Sequence, residues 1–419
     1  MRIAIVTPLD ARSAIARVTL EVAELLADLA SIVLYAEPTD RPLPTSLPVR
    51  PASSFNAATA HEYDHIVTVV GNSSFHTHAI RIACQYPTVV ILHDVVISQG
   101  VASLLSPAQI VNHVKRSYGS DDVLYALDTL RTARPFWARA DSLRLPLTEL
   151  VVKGAEGIVT HSAFAADLVA PLSICPISVL KLPWPGAVVP AAGIDSRRLV
   201  TLGHANPNKQ HERVIRTLCH LSDDIDYVIA GQITPSRRAE LTELSEAHGV
   251  AERVKILSDV PEALLPDLLR SCGLAMGLRH PPLEAASASI LELMRFGLPV
   301  VVFDHGSYSE LPDDAVLKVP LEISDEGLAE VISNVMGDQV LRKTLSESSQ
   351  SALKDHVSNE YAACLYSFFE EVQSSRASIS LISAIADATE MWEAKDALQL
   401  HSRWSEVLAT TFPDITSSW

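Results

Sequence analysis

The sequence predicts an α/β protein built from two doubly wound parallel-sheet domains that face one another across a cleft. Three observations carry this. The chain has 419 residues, about twice the usual size of one domain. Short Val- and Ile-rich runs alternate with longer helical patterns, as βαβ units require. That alternation stops at a Pro- and Gly-bearing stretch and then starts again.

The first domain, 1–185, opens with a strand at Ile3 to Thr7, a helix from Ala14 to about Leu29 and a strand at Ser31 to Tyr35. Further strands are expected at His65 to Val70, Thr88 to Leu92 and Gly157 to Thr160. The stretch PWPGAVVPAAGID, Pro183 to Asp195, has neither helical nor strand period and reads as a linker. Strands of the second domain, 196–370, are expected at Leu199 to Leu202, Tyr227 to Ala230, Val254 to Ile256, Leu274 to Met276, Pro299 to Phe303 and Val316 to Lys318. Beyond Leu321 the pattern is helical, with Ser324 as an N-cap. A helical extension, 371–419, carries Trp392, Trp404 and Trp419, which read as packing residues.

Composition agrees. Nearly half of the residues are apolar and only 5% aromatic, the aliphatic diet of buried parallel strands. The formal charge of −17 disfavours nucleic acid as a partner and gives no broad attraction to anionic lipid. Five scattered cysteines without CxxC spacing fit neither a disulfide framework nor a zinc site and read as buried small hydrophobes. No basic leader followed by an apolar run opens the chain, and no stretch reaches spanning length, so a cytoplasmic location is expected.

Chemistry concentrates in Met276 to Pro312, MGLRHPPLEAASASILELMRFGLPVVVFDHGSYSELP. Glu284 and Glu292 stand seven residues apart, followed by Gly297, Leu298, Pro299 and an apolar strand. If the helix starts near Ala286, Glu292 lies ~9 Å along its axis and Glu284 stays in the loop before it. The amides of Ala286 to Ser289, with Ser287 among them, then form a site suited to a diphosphate. The bland alternative is that Glu292 pairs with Arg295 on a solvent-facing surface. In LVTLGHANPNKQHERVIRTL, a strand ends at Gly203, and a Pro-Asn-Lys turn places Lys209 where a helix begins. His204 is either a ligand contact or held by its neighbours. Arg279 in GLRHPP either neutralises phosphate or forms a structural ion pair. In VVILHDVVISQG, His93 and Asp94 stand at the carboxyl end of a strand, where open α/β sheets bind ligands. Asn72, in VVGNSSFHTHAI, either reaches the same cleft or caps a helix.

The paired-Glu segment resembles the Glu-x7-Glu signature of family 4 glycosyltransferases, retaining enzymes of the GT-B fold. The resemblance spans most of the chain to about residue 370 and is specific in the second domain. It implies a sugar-side role for Glu284, a ribose-side role for Glu292, diphosphate contact for Lys209 and donor-sugar contact for His93. Asn72 and His76 resemble a Gly-Asn-Ser segment of polysaccharide-assembling members. Two positions depart: His204 stands where the family has Arg, and Ala14 where it commonly has Gly. The implied activity is transfer of a hexose from a nucleotide-diphosphate sugar to a glycan or lipid-linked acceptor, without an obligatory metal or other cofactor and with transient membrane-surface contact. A sugar-nucleotide epimerase or phosphorylase, and a silent scaffold on the same fold, are the rival readings.

Overall fold

The computed structural model describes residues 1–131, 141–184, 186–189 and 196–391. Part of the expected linker and all three C-terminal tryptophans lie outside these residues. Chain packing separates Met1–Phe369 from Glu370–Trp419. In the second unit the described residues continue the helix Ser358–Met391.

The first sheet contains β1 (Arg2–Val6), β2 (Ser31–Tyr35), β3 (Val49–Arg50), β4 (His65–Val70), β5 (Val89–Leu92), β6 (Gly157–Thr160) and β7 (Ile177–Val179), in the order β3-β2-β1-β4-β5-β6-β7. The second contains β8 (Arg198–Leu202), β9 (Asp226–Ala230), β10 (Val254–Leu257), β11 (Leu274–Met276), β12 (Val300–Phe303) and β13 (Leu317–Val319), ordered β10-β9-β8-β11-β12-β13. Every pairing in both is parallel. β4, β5, β6 and β12 are buried along their whole length, so their near-continuous aliphatic runs follow from helices covering both faces.

Strand order reverses between β1 and β4 and again between β8 and β11. At such a reversal the flanking connections leave on opposite faces, and a crevice opens beyond the strands' carboxyl ends. β3 and β7 were not expected from sequence. Ser324 caps Asp325–Gly337 as expected, accepting from the Gly327 amide at 3.0 Å. The cysteine expectation holds for Cys175 and Cys272 only; Cys84, Cys219 and Cys364 are exposed, and all five are free. Cys84 and Cys219 stand just past the ends of Thr77–Ala83 and His211–Leu218, and Cys364 lies in Ser358–Met391. Among the described residues no helix is long and apolar enough to cross a membrane.

Candidate active site

The carboxyl ends of β8, β11 and β12 bring together Gly203, Lys209, Arg279, Glu284, Ser287, Ser289 and Tyr308. Gly203 leaves β8 with φ +94°, and a Cβ there would fall 2.5 Å from Lys209 Nζ. Gly231 lies against it, where a Cβ would meet the Gly203 carbonyl oxygen at 2.3 Å. Only glycine fits this close approach of two loops. The Pro207–Lys209 turn then folds Lys209 inward, with its ammonium donating to Leu202 O.

Lys209 is 5% exposed and Arg279 1%. Burial, then the Arg279 charge, holds the Lys209 pKa well below its ordinary value, with Glu284 opposing. Arg279 Nη2 donates to Ser289 Oγ at 3.0 Å and Nη1 to Leu278 O at 3.1 Å. Its Nε makes no hydrogen bond and lies 3.7 Å from Glu284 Oε2. Two buried basic groups thus lie in the field of one carboxylate, which only Arg279 approaches directly. Unneutralised charge in a buried place is costly, and an incoming anion would relieve it.

The helix after Glu284 runs Ala288–Arg295 with Ser287 as its N-cap residue, two residues later than the sequence suggested. Glu292 therefore stands only ~6 Å beyond the first helical residue. The Ser287 hydroxyl does not cap; it lies 3.1 Å from Ser289 Oγ. The first amide of the turn returned to the chain is that of Ile290, to Ser287 O at 3.0 Å, which leaves earlier amides facing outward. Ala285 instead donates its amide to His93 O of the first domain at 2.8 Å, while Ala286 packs against the second-domain core.

Glu284 accepts from the Tyr308 hydroxyl, and its backbone oxygen accepts from Ser307 Oγ at 3.2 Å. Tyr308 is buried, and burial followed by the Glu284 charge raises its pKa well above the phenol range. It therefore remains a donor. No motif in the sequence marks it; its one signal is its place in the loop after β12.

Glu292 is held differently. Its carboxylate accepts from Trp184 Nε1 at 2.9 Å and from Arg295 Nε and Nη2 at 2.9 and 2.7 Å. The Arg295 pairing foreseen as the bland alternative is present, but the carboxylate is only 14% exposed rather than solvent-facing. His204 stands at the rim with Nε2 2.6 Å from Gln232 Oε1. Partial burial, and next to it the Lys209 ammonium, lower its pKa despite the Gln232 contact.

In the first domain His93 follows β5 and is 7% exposed. Its ring centre lies 4.5 Å from that of His161. Burial, then His161 and His76, hold its pKa well below the ordinary value, so the ring is neutral. His161 Nδ1 donates to Leu180 O at 3.0 Å, which fixes its tautomer, because a carbonyl can only accept. Asn72 is held by protein groups outside the helix that follows it: its side chain accepts from Gln99 N at 2.8 Å while its amide donates to Asp94 Oδ2 at 2.6 Å.

The two halves of the site touch. Asp94 and Glu284 form an antiparallel bridge, closed by Val95 N to Leu283 O and Ala285 N to His93 O, each 2.8 Å. Val95, Val96, Ala165, Leu283 and Ala285 pack around it. A second tie comes from Glu310, whose carboxylate accepts from the amides of Ala163 and Phe164 at 2.9 and 2.7 Å.

These features define a two-domain α/β protein of GT-B fold with a cation-rich helix terminus in its second domain. Residues 191–352 match the family model for glycosyl transferases group 1. Among solved structures, the chain is similar to Anabaena Alr3699/HepE, determined in complex with UDP and glucose, at 16% identity over 88% of this chain and 100% of that one, TM-score 0.61. It is also similar to sucrose-phosphate synthase of Thermosynechococcus elongatus, at 14% over 90% and 100%, TM-score 0.61. A third is WaaG, a glycosyltransferase involved in lipopolysaccharide biosynthesis, at 14% over 84% and 95%, TM-score 0.57. No curated protein sequence matches the chain.

Proposed function

We propose that the chain is a retaining glycosyltransferase that moves a hexose from a nucleotide-diphosphate sugar to a glycan or lipid-linked acceptor, in the synthesis of a cell-surface polysaccharide. One observation carries this reading: Lys209 and Arg279 are buried together beside Glu284 at the opening turn of Ala288–Arg295. The group 1 match over the same residues supports it, as does the UDP and glucose complex of the GT-B neighbour.

In this reading the diphosphate sits on the amides of Ala286 to Ser289, with Lys209 and Arg279 neutralising the charge that grows on the leaving phosphate. His204, neutral and at the rim, is a weaker contact than Arg279. Arg279 supplies from the loop after β11 the guanidinium that the turn after Gly203 lacks. Glu284, held by Tyr308, accepts from sugar hydroxyls. Glu292 has three donors and room for one more on its two oxygens, so it can take a ribose hydroxyl while keeping Trp184 and Arg295. The acceptor hydroxyl attacks the face from which the nucleotide leaves, and the departing phosphate takes its proton. His93, neutral at the end of β5, contacts the donor sugar. Asn72 positions Asp94 and the turn at Gln99 rather than substrate. The enzyme works in the cytoplasm, with transient contact at the inner membrane face.

The test is transfer from a panel of radiolabelled nucleotide sugars by the unaltered protein and by Glu284→Gln and Lys209→Ala. Transfer lost by one or more orders of magnitude in both supports the reading. Equal rates refute the site, and epimerised sugar or sugar phosphate as product refutes the reaction.

A further inference from the structure

A cavity outside this site lies beyond the carboxyl ends of β1 and β2, with a volume of about 540 Å³. Its floor is Val6 to Leu9 with Tyr35 and Ala36, and its walls come from Asp10, Arg12, Glu37, Asp40, Phe75 and His78. The volume suits one or two sugar rings.

The walls are preorganised. Asp10 is 2% exposed and accepts from Arg12 Nε and Nη2 at 2.7 and 2.6 Å and from the Thr39 hydroxyl. Arg12 Nη2 also reaches Asp40 Oδ1 at 2.7 Å. Backbone bonds from Ala11 N to Arg41 O at 2.8 Å and Leu43 N to Leu9 O at 2.9 Å tie the two loops together. The strongest cation in the cavity is thereby spent on protein carboxylates. The Arg12 guanidinium also lies over the Phe75 ring, 5.8 Å from its centre.

What remains open to a ligand is acceptor-rich. Glu37 and Asp40 are exposed or half-exposed; Glu37 Oε1 accepts from Ser53 N at 2.5 Å and lies 3.7 Å from His78 Nε2, which leaves Glu37 Oε2 to a ligand, and Ser74 and Thr77 add hydroxyls. Phe75 is 42% exposed and offers an apolar edge. Carboxylates that accept from hydroxyls beside an aromatic ring that meets C–H faces are the chemistry of carbohydrate recognition. Three carboxylates against one committed guanidinium repel phosphate and carboxylate. Ser74 and Phe75 follow Asn72, so the cavity opens along the same sheet end as Asp94 and Glu284.

We propose that this cavity seats an uncharged sugar residue of the acceptor and discriminates against phosphorylated or carboxylated acceptors. The proposal rests on the glycosyltransferase reading and names the substrate class that reading leaves open.

Saturation-transfer NMR on the full chain tests it, with cellobiose, maltose and chitobiose as neutral probes and digalacturonate and phosphatidylglycerol vesicles as anionic ones. At least one neutral disaccharide is expected to bind at millimolar concentration, with the signal falling fivefold or more in Phe75→Ala and in Glu37→Ala. Thermal unfolding serves as the fold control, since Phe75 is 42% and Glu37 36% exposed and Glu37 also holds the Ser53 amide. Glu37→Lys combined with Asp40→Lys is expected to gain digalacturonate binding. Stronger binding of either anionic probe by the unaltered chain, no neutral binding, or neutral binding that Phe75→Ala leaves intact would overturn the proposal. Calorimetry with uridine and guanosine diphosphates on the same samples separates the two readings. Disaccharide binding without diphosphate binding removes the transferase reading alone, and the converse removes the cavity proposal alone.

Discussion

Asp94, at the exit of β5, and Glu284, in the loop before the anion-binding turn, face each other in an antiparallel bridge between the two sheet domains. The bridge keeps Asp94 buried, and burial disfavours the charged form of a carboxyl. Burial, and in smaller measure Glu284, pushes the Asp94 carboxyl up to about 7 against the Asn72 amide that favours its charge.

The sign of the pH effect follows. Between about 4 and 7 folded Asp94 keeps a proton that the unfolded chain releases, so its contribution to stability is complete below pH 4 and disappears as pH rises through 7. Urea unfolding at pH 5 and pH 8 is expected to show a stability difference that narrows in Asp94→Asn. An unchanged difference would mean that Asp94 is ionised throughout.

Lys209 and Arg279 repel one another in the empty site, so Lys209→Met is expected to leave the melting temperature unchanged or raised while transfer falls roughly 100-fold. Differential scanning calorimetry beside initial-rate measurements checks this. A large loss of stability would make Lys209 a structural residue.

Gly203→Ala forces a Cβ into the Lys209 ammonium at a backbone angle that L residues rarely adopt. Stability should fall by roughly 1–3 kcal/mol, and transfer should fall with it because Lys209 is displaced. Chemical denaturation and kinetics on one preparation measure both.

Tyr308→Phe removes the hydroxyl that Glu284 accepts. Turnover is expected to fall about tenfold, the order of one hydrogen bond to a charged group, with little change in nucleoside diphosphate affinity. Loss of diphosphate affinity instead would place Tyr308 at the phosphate.

Much of the fold was legible because parallel strands buried on both faces are written as uninterrupted aliphatic runs. β2, β4, β6 and β11 match their expected bounds, and the other expected strands match within one residue at each end. β3 and β7 were not legible. Val49–Arg50 is two exposed residues and Ile177–Val179 three half-exposed ones, too short for any period to show. The late helix start after Glu284 escaped because no side chain caps it and Ala285 and Ala286 carry no boundary signal. Strand-end positions such as His93, Gly203 and Arg279 could be placed because the carboxyl end of a strand is local information. Tyr308 on Glu284, Glu310 on Ala163 and the Asp10–Arg12–Thr39 lacing could not, since each joins segments that only the tertiary fold brings together.

The most direct test is calorimetric titration of uridine, guanosine and adenosine diphosphates into the unaltered protein, Lys209→Met and Arg279→Met. Binding of at least one diphosphate, weakened tenfold or more in each variant, is the predicted result. Diphosphate binding that both variants retain at full strength would contradict it.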